Sequence, residues 1–159
     1  MSKYDELCSA LSEQTHAERN YWQALQVRAG QIASGLWTYL EFPSKTYKDF
    51  DGKQSYSYVA LTKPGEDKDC HYPQLPGSKG AIHFDLLITL EEEPGCFPKS
   101  KVRFSLNVGS TGETLRVWDN SGNIDVDVPI GSDGNEEVYA QIFDALKKHL
   151  SYRPAFRKE

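Results

Sequence analysis

The 159 residues contain only three cysteines, Cys8, Cys70 and Cys96, and no two of them form a Cys-x-x-Cys pair. An odd count without that spacing excludes a disulfide framework and offers no zinc ribbon, so a reducing cytoplasm is the expected setting. Cys8, on a helical segment, is expected to act as a small apolar filler. No run approaches the roughly 18 consecutive apolar residues of a membrane span. The opening "MSKYDELCSALSEQ" also lacks the apolar stretch of a signal peptide, and no membrane association is expected.

Positive charge is in deficit. There are 18 Lys and Arg against 23 Asp and Glu, a formal charge of −5. Binding to phosphate backbones draws mainly on Lys and Arg, so the balance argues against nucleic acid and favours a basic protein partner. "GSTG" lacks the GK[ST] ending of a phosphate-binding loop, and no cofactor is expected. No internal repeat or low-complexity segment is present.

Aromatic residues are plentiful at 12%, with nine Tyr and three Trp, which excludes disorder throughout. A chain of this length buries roughly 70% of its unfolded surface, enough for a single domain over 1–159 with a short basic tail at 153–159. From Tyr4 to about Ser34 apolar residues recur at helical spacing, with Ser2 and Asp5 as a start, an interruption near "SEQTHAERN" and Gly35 as a stop. "LWTYLEF" and "SYSYVALT" then read as strands closed by Pro43 and Pro64. A long Pro/Gly-rich connection runs from Thr62 to Ala81, of a length more often functional than ordinary loops.

In "AIHFDLLITLE" the residues Ile82, Phe84, Leu86, Ile88 and Leu90 alternate with His83, Asp85, Leu87 and Thr89, which gives one apolar and one mostly polar face. The alternation continues through "KVRFSLNV", "ETLRVW" and "NIDVDVPI", joined by "GSTG" and "DNSG" as four-residue hairpin loops. Those loop lengths set Phe104 against Val117 and Leu106 against Leu115 on the core side. On the other side they set Arg103 against Trp118, Ser105 against Arg116, Arg116 against Asp125 and Thr114 against Asp127. "GSDGNEEVYAQIFDALKKHLSYRP" reads as a second helix from about Gly134 to Tyr152, capped by Asp133. The fold class is α+β: a two-layer sandwich with both helices on one face of a five- to six-stranded, mainly antiparallel sheet.

The opposite face is expected to be open, carrying His83, Asp85, Arg103, Arg116, Trp118, Asp125 and Asp127. Trp and Arg are enriched at binding hot spots, so Arg103, Arg116, Trp118, Asp125 and Asp127 are the candidate partner-binding residues. A solvated face with an Arg116–Asp125 pair and Arg103 over Trp118 explains them slightly better, because such pairs are routine in meanders. The expected function is a small non-enzymatic binding or regulatory module, of inhibitor, immunity or accessory type. Leu87 and Trp118, if exposed together, would mark a homodimer face. The alternative is a hydrolase using the 62–80 loop with Cys70, His71, His83 and Asp85. Metal binding by the same residues is disfavoured because ligand pairs two to four residues apart are absent. Stacking of single-stranded nucleic acid on sheet tyrosines is the weakest reading in an acidic chain. The acidic run "LEEEP" is expected to be a solvated strand end.

Overall fold

Ser2 opens the first helix as its spacing from Asp5 implies. The Ser2 hydroxyl accepts the Asp5 N–H, and the Asp5 carboxylate accepts the Ser2 N–H in return. From this cap, in the computed structural model, which describes residues 2–131 and 134–154, helix α1 runs unbroken over Lys3–Tyr39. The expected interruption near "SEQTHAERN" is absent, and so is the expected strand "LWTYLEF". Gly35 does not stop α1; it makes room for a neighbour. A methyl group there would lie 1.8 Å from the Tyr139 hydroxyl of the second helix. Beyond it Leu36 is fully buried, and the Trp37 indole donates to the Ser44 carbonyl at 2.9 Å, where the chain turns away.

The strands follow as β1 (Thr46–Lys48), β2 (Ser55–Ser57), β3 (Val59–Thr62), β4 (Gly77–Ser78), β5 (Ala81–Glu91), β6 (Lys99–Ser110), β7 (Thr114–Asp119) and β8 (Asp125–Pro129). Helix α2 covers Glu136–Leu150. The expected strand "SYSYVALT" is thus divided between β2 and β3. The main sheet has the order β3-β5-β6-β7-β8, with β4 also on β5, every pair is antiparallel, and β1 and β2 form a separate hairpin. The long 62–81 connection holds a short 3-10 turn at Tyr72–Gln74 as well as β4. The expected cap Asp133 and tail residues 155–159 lie outside the described residues; Asn135 occupies the α2 N-cap.

Both helices share one core with the sheet. Leu25, Ala29, Ile32 and Leu36 of α1 and Val138, Ile142 and Leu146 of α2 pack with Ile82, Phe84, Leu86 and Ile88 of β5 and with Val108, Val117 and Val128. Arg28 ties the layers together, donating to the Asn135 side chain at 2.9 Å and the Pro129 carbonyl at 2.8 Å. Buried polar groups are tolerated where they are bonded in this way.

The two expected hairpin registers need correction. Val117 pairs with Val108 rather than Phe104, Ser110 with Leu115, and Asn107 rather than Arg103 with Trp118. Gly109 and Ser110 of "GSTG" are strand, and the turn tightens around Gly112, whose φ is 101°, while Thr111 N–H donates to the Thr114 carbonyl. In β7–β8, Arg116 pairs with Asp127 and Trp118 with Asp125, two residues from the expected register. Both slips are even. Side chains alternate with period two, so every residue keeps its face.

Candidate functional site

Only part of the face away from the helices is open. Over β3, β5 and the start of β6 it is covered by the β1–β2 hairpin and the segment after β3. Leu87 is 5% exposed, Thr89 1% and Asp85 1%, and the Tyr47 hydroxyl reaches Thr89 Oγ1 at 3.2 Å. Leu87 therefore forms no exposed patch with Trp118, and the homodimer face that the pair would mark is absent. Glu91 is not solvated either. It forms a buried ion pair with Lys99, whose ammonium sits among the rings of Tyr47, Tyr58 and Phe97. Burial pushes the Glu91 carboxyl up, but bonds from Lys99, Gly95 N–H and the Tyr58 hydroxyl outweigh it and hold the group below the ordinary glutamate range.

Arg103 belongs to this covered half. Its guanidinium binds the Asp85 and Asp67 carboxylates and the Glu66 carbonyl, so it does not lie over Trp118. Asp85 also accepts Gly65 N–H at 2.9 Å, which fixes the 63–67 segment across the sheet. Asp85 is thereby a structural anchor. Its partners are Gly65 and Arg103, not His83.

The open half is built by two cross-strand rows, His83–Asn107–Trp118–Asp125 and Ala81–Gly109–Arg116–Asp127. Arg116 reaches diagonally to Asp125 with two bonds of 2.8 and 3.0 Å, and its guanidinium lies 4.7 Å from the centre of the Trp118 ring. The expected Arg116–Asp125 contact is present, one row displaced, and Arg116 takes the place over Trp118 expected for Arg103. Those bonds hold the Asp125 carboxyl below its ordinary range. Four of the five partner-binding candidates thus lie together: Arg116, Trp118, Asp125 and Asp127.

The hydrolase quartet is scattered. Cys70 packs against the core on the helix side of β3, in a groove of about 680 Å³ lined by Gly30, Ser34, Trp37, Val59 and Tyr72, with His71 at its rim. Burial pushes the Cys70 thiol up, away from the thiolate a nucleophile needs. His83 and Asp85 are on the opposite face of the sheet. Among the described residues no group of three His, Cys, Asp or Glu is placed to hold a metal ion.

His83 instead joins residues that the sequence reading passed over. Its Nε2 lies 2.8 Å from Ser78 Oγ and its Nδ1 2.6 Å from Asn107 Oδ1. Asn107 lay within the alternating pattern as a polar residue on the face of His83, a signal available in the sequence. Ser78, inside the 62–80 loop, gave none.

The other feature missed concerns α1. Every residue from Lys3 to Asn20 is exposed, and packing starts at Tyr21, whose hydroxyl donates to the Gly80 carbonyl at the β4–β5 turn. The first half of the helix therefore projects past the end of the sheet by about 27 Å at 1.5 Å per residue. Tyr4, Leu7 and Leu11 on it are 74, 68 and 63% exposed. Cys8 is exposed as well, so it fills no apolar space as a core residue would. Among the described residues no helix is long and apolar enough to cross a membrane. Comparison with protein-family models, with curated proteins and with solved structures finds no match for this chain.

Proposed function

We propose that this chain is a protein-binding module of regulatory or accessory type, and that the projecting half of α1 is its principal docking element. The observation that carries the reading is the exposure of Tyr4, Leu7 and Leu11 on a helix segment whose every residue from Lys3 to Asn20 is exposed. Their spacing of i, i+3 and i+7 is that of a helix laid in an apolar groove of a partner. A free helix of this length is marginal in water, so the capping box and the anchored second half hold in place a shape that a partner would otherwise have to order. Over residues 2–20, Asp5, Glu6, Glu13 and Glu18 outnumber Lys3 and Arg19, which suits a groove with a basic rim.

The open sheet face supplies a second contact. Trp118, with Arg116 stacked on it and Asp125 fixing that arginine, is a rigid aromatic and cationic surface of the kind enriched at hot spots. Three unpaired cysteines, two of them exposed, suit a reducing cytoplasm.

The test compares capture from the source-cell lysate by wild type, by Leu7→Lys/Leu11→Lys and by Arg116→Glu/Trp118→Ala, each with its melting temperature checked. A single saturable partner lost in the first variant and weakened in the second is expected. Self-association of the pure chain, abolished by Leu7→Lys/Leu11→Lys, would make the occupant a second copy instead. Capture unaffected by both variants would overturn the reading.

A further inference from the structure

β4 and β5 are joined by Lys79 and Gly80, with φ of 52° and 80°, as a two-residue type I′ hairpin requires. The turn, held by the Tyr21 hydroxyl on the Gly80 carbonyl, places Ser78 opposite Ala81 and in reach of His83. Asn107 faces His83 across the β5–β6 pair and is 6% exposed. Its amide nitrogen donates to the Asn120 side chain at 3.0 Å and the Trp118 carbonyl at 3.3 Å, which leaves the amide oxygen toward the imidazole.

These bonds fix the protons. An amide oxygen only accepts, so Nδ1 of His83 carries a hydrogen, and in the neutral ring Nε2 is a bare lone pair. The Ser78 hydroxyl then donates to Nε2. A serine nucleophile needs this arrangement: a base within reach of Oγ, in the tautomer enforced by a third group behind it. An incidental surface Ser–His contact leaves the ring free to turn. Here both ring nitrogens are held, one of them by a buried amide that is itself bonded twice.

We propose that Ser78 is an acyl-transfer nucleophile toward carboxylic esters, with His83 as its general base and Asn107 as a positioning residue. Oγ bonds to the ester carbonyl carbon as its proton passes to Nε2, and the bond to the leaving alkoxide breaks as the proton returns to it. Water then repeats the sequence on the acyl-serine, giving a carboxylic acid and free Ser78. The site is shallow: Ser78 is exposed, and the Trp118 ring beside Gly109 already carries the Arg116 guanidinium. A short acyl group fits it better than a long chain. The proposal stands apart from helix docking and rests on none of its observations.

The experiment treats the full chain with a fluorophosphonate, which bonds to an activated serine and releases fluoride, and follows p-nitrophenyl acetate hydrolysis. Mass spectrometry should place one adduct on Ser78. Hydrolysis should fall about a hundredfold or more in Ser78→Ala and in His83→Ala, the scale of a lost nucleophile or base. Asn107→Asp, which keeps an acceptor behind the ring, should retain activity that Asn107→Leu loses. No adduct in wild type beyond that of the denatured chain, or hydrolysis unchanged in Ser78→Ala, would overturn the proposal. Ser78 is exposed, so Ser78→Ala should fold normally. Neither readout depends on capture of a partner.

Discussion

Residues 3–20 and 21–39 of α1 form one continuous helix whose two halves meet different surroundings. Tyr4, Leu11, Leu25 and Ile32 fall at multiples of seven residues and so drift by only about 20° per heptad around one side of the helix, yet the first two are 74 and 63% exposed and the last two essentially buried. The second half owes its apolar face to the sheet beneath it. The first half has the same kind of face with no sheet under it, so the fold does not account for Tyr4, Leu7 and Leu11. That stripe is what the proposed docking role accounts for.

The largest effect expected on stability lies in the packed half. Ile32→Ala removes a fully buried side chain and should cost about 2–5 kcal/mol in urea unfolding. Gly35→Ala should cost about 1–3 kcal/mol, since the added methyl group must displace the Tyr139 hydroxyl. A loss as large from Leu11→Ala would break the comparison, because it would mean that the projecting half packs on the domain after all. The expected change for Leu7→Ala or Leu11→Ala is within about 0.5 kcal/mol each, as for surface substitutions generally.

The smallest effect is local and depends on pH. Backbone and side-chain bonds from Ser2 hold the Asp5 carboxyl below the ordinary aspartate range. A group depressed on folding stabilises above its unfolded pKa, about 3.9 for aspartate, and that contribution is lost as pH falls through the folded value. Amide exchange should therefore accelerate in residues 3–8 as pH is lowered through this range, after correction for intrinsic rates. Asp5→Asn should remove the dependence, while residues 25–36 stay protected in both.

How much of this was legible in the sequence follows from the same contrast. Period-two alternation assigned the meander strands to their correct faces, because slips of four residues in β6–β7 and two in β7–β8 preserve parity. Ile130, expected on the core face at the end of "NIDVDVPI", lies past β8 and is 55% exposed. The β6–β7 slip arose where Gly109 looked like a turn residue; its place in β6 is set by the Trp118 ring and the Gly80 carbonyl packed on it, both supplied by tertiary structure. The β7–β8 slip arose because the Asp119 N–H donates to the Ile124 carbonyl and the loop is Asn120–Asn123 rather than "DNSG". Gly35 misled for a similar reason, its vacancy being filled by Tyr139 from the other end of the chain. Arg116, Trp118, Asp125 and Asp127 came together as expected. Arg103 did not, because the 63–67 segment folds over the sheet and captures it with Asp85, a contact that no periodicity encodes. Ser78 joins His83 only through the Lys79–Gly80 turn, inside a connection whose length marked it as unusual but whose course the sequence did not reveal.

The most direct measurement of the central claim is photo-crosslinking in the source cell, with a photoreactive side chain placed at Leu11, at Leu25, or at Glu13 on the far side of the projecting helix. A discrete adduct to another protein from position 11, with none from position 25 and far less from position 13, is the result the account predicts. Absence of any adduct from position 11, or equal adducts from 11 and 13, would contradict it.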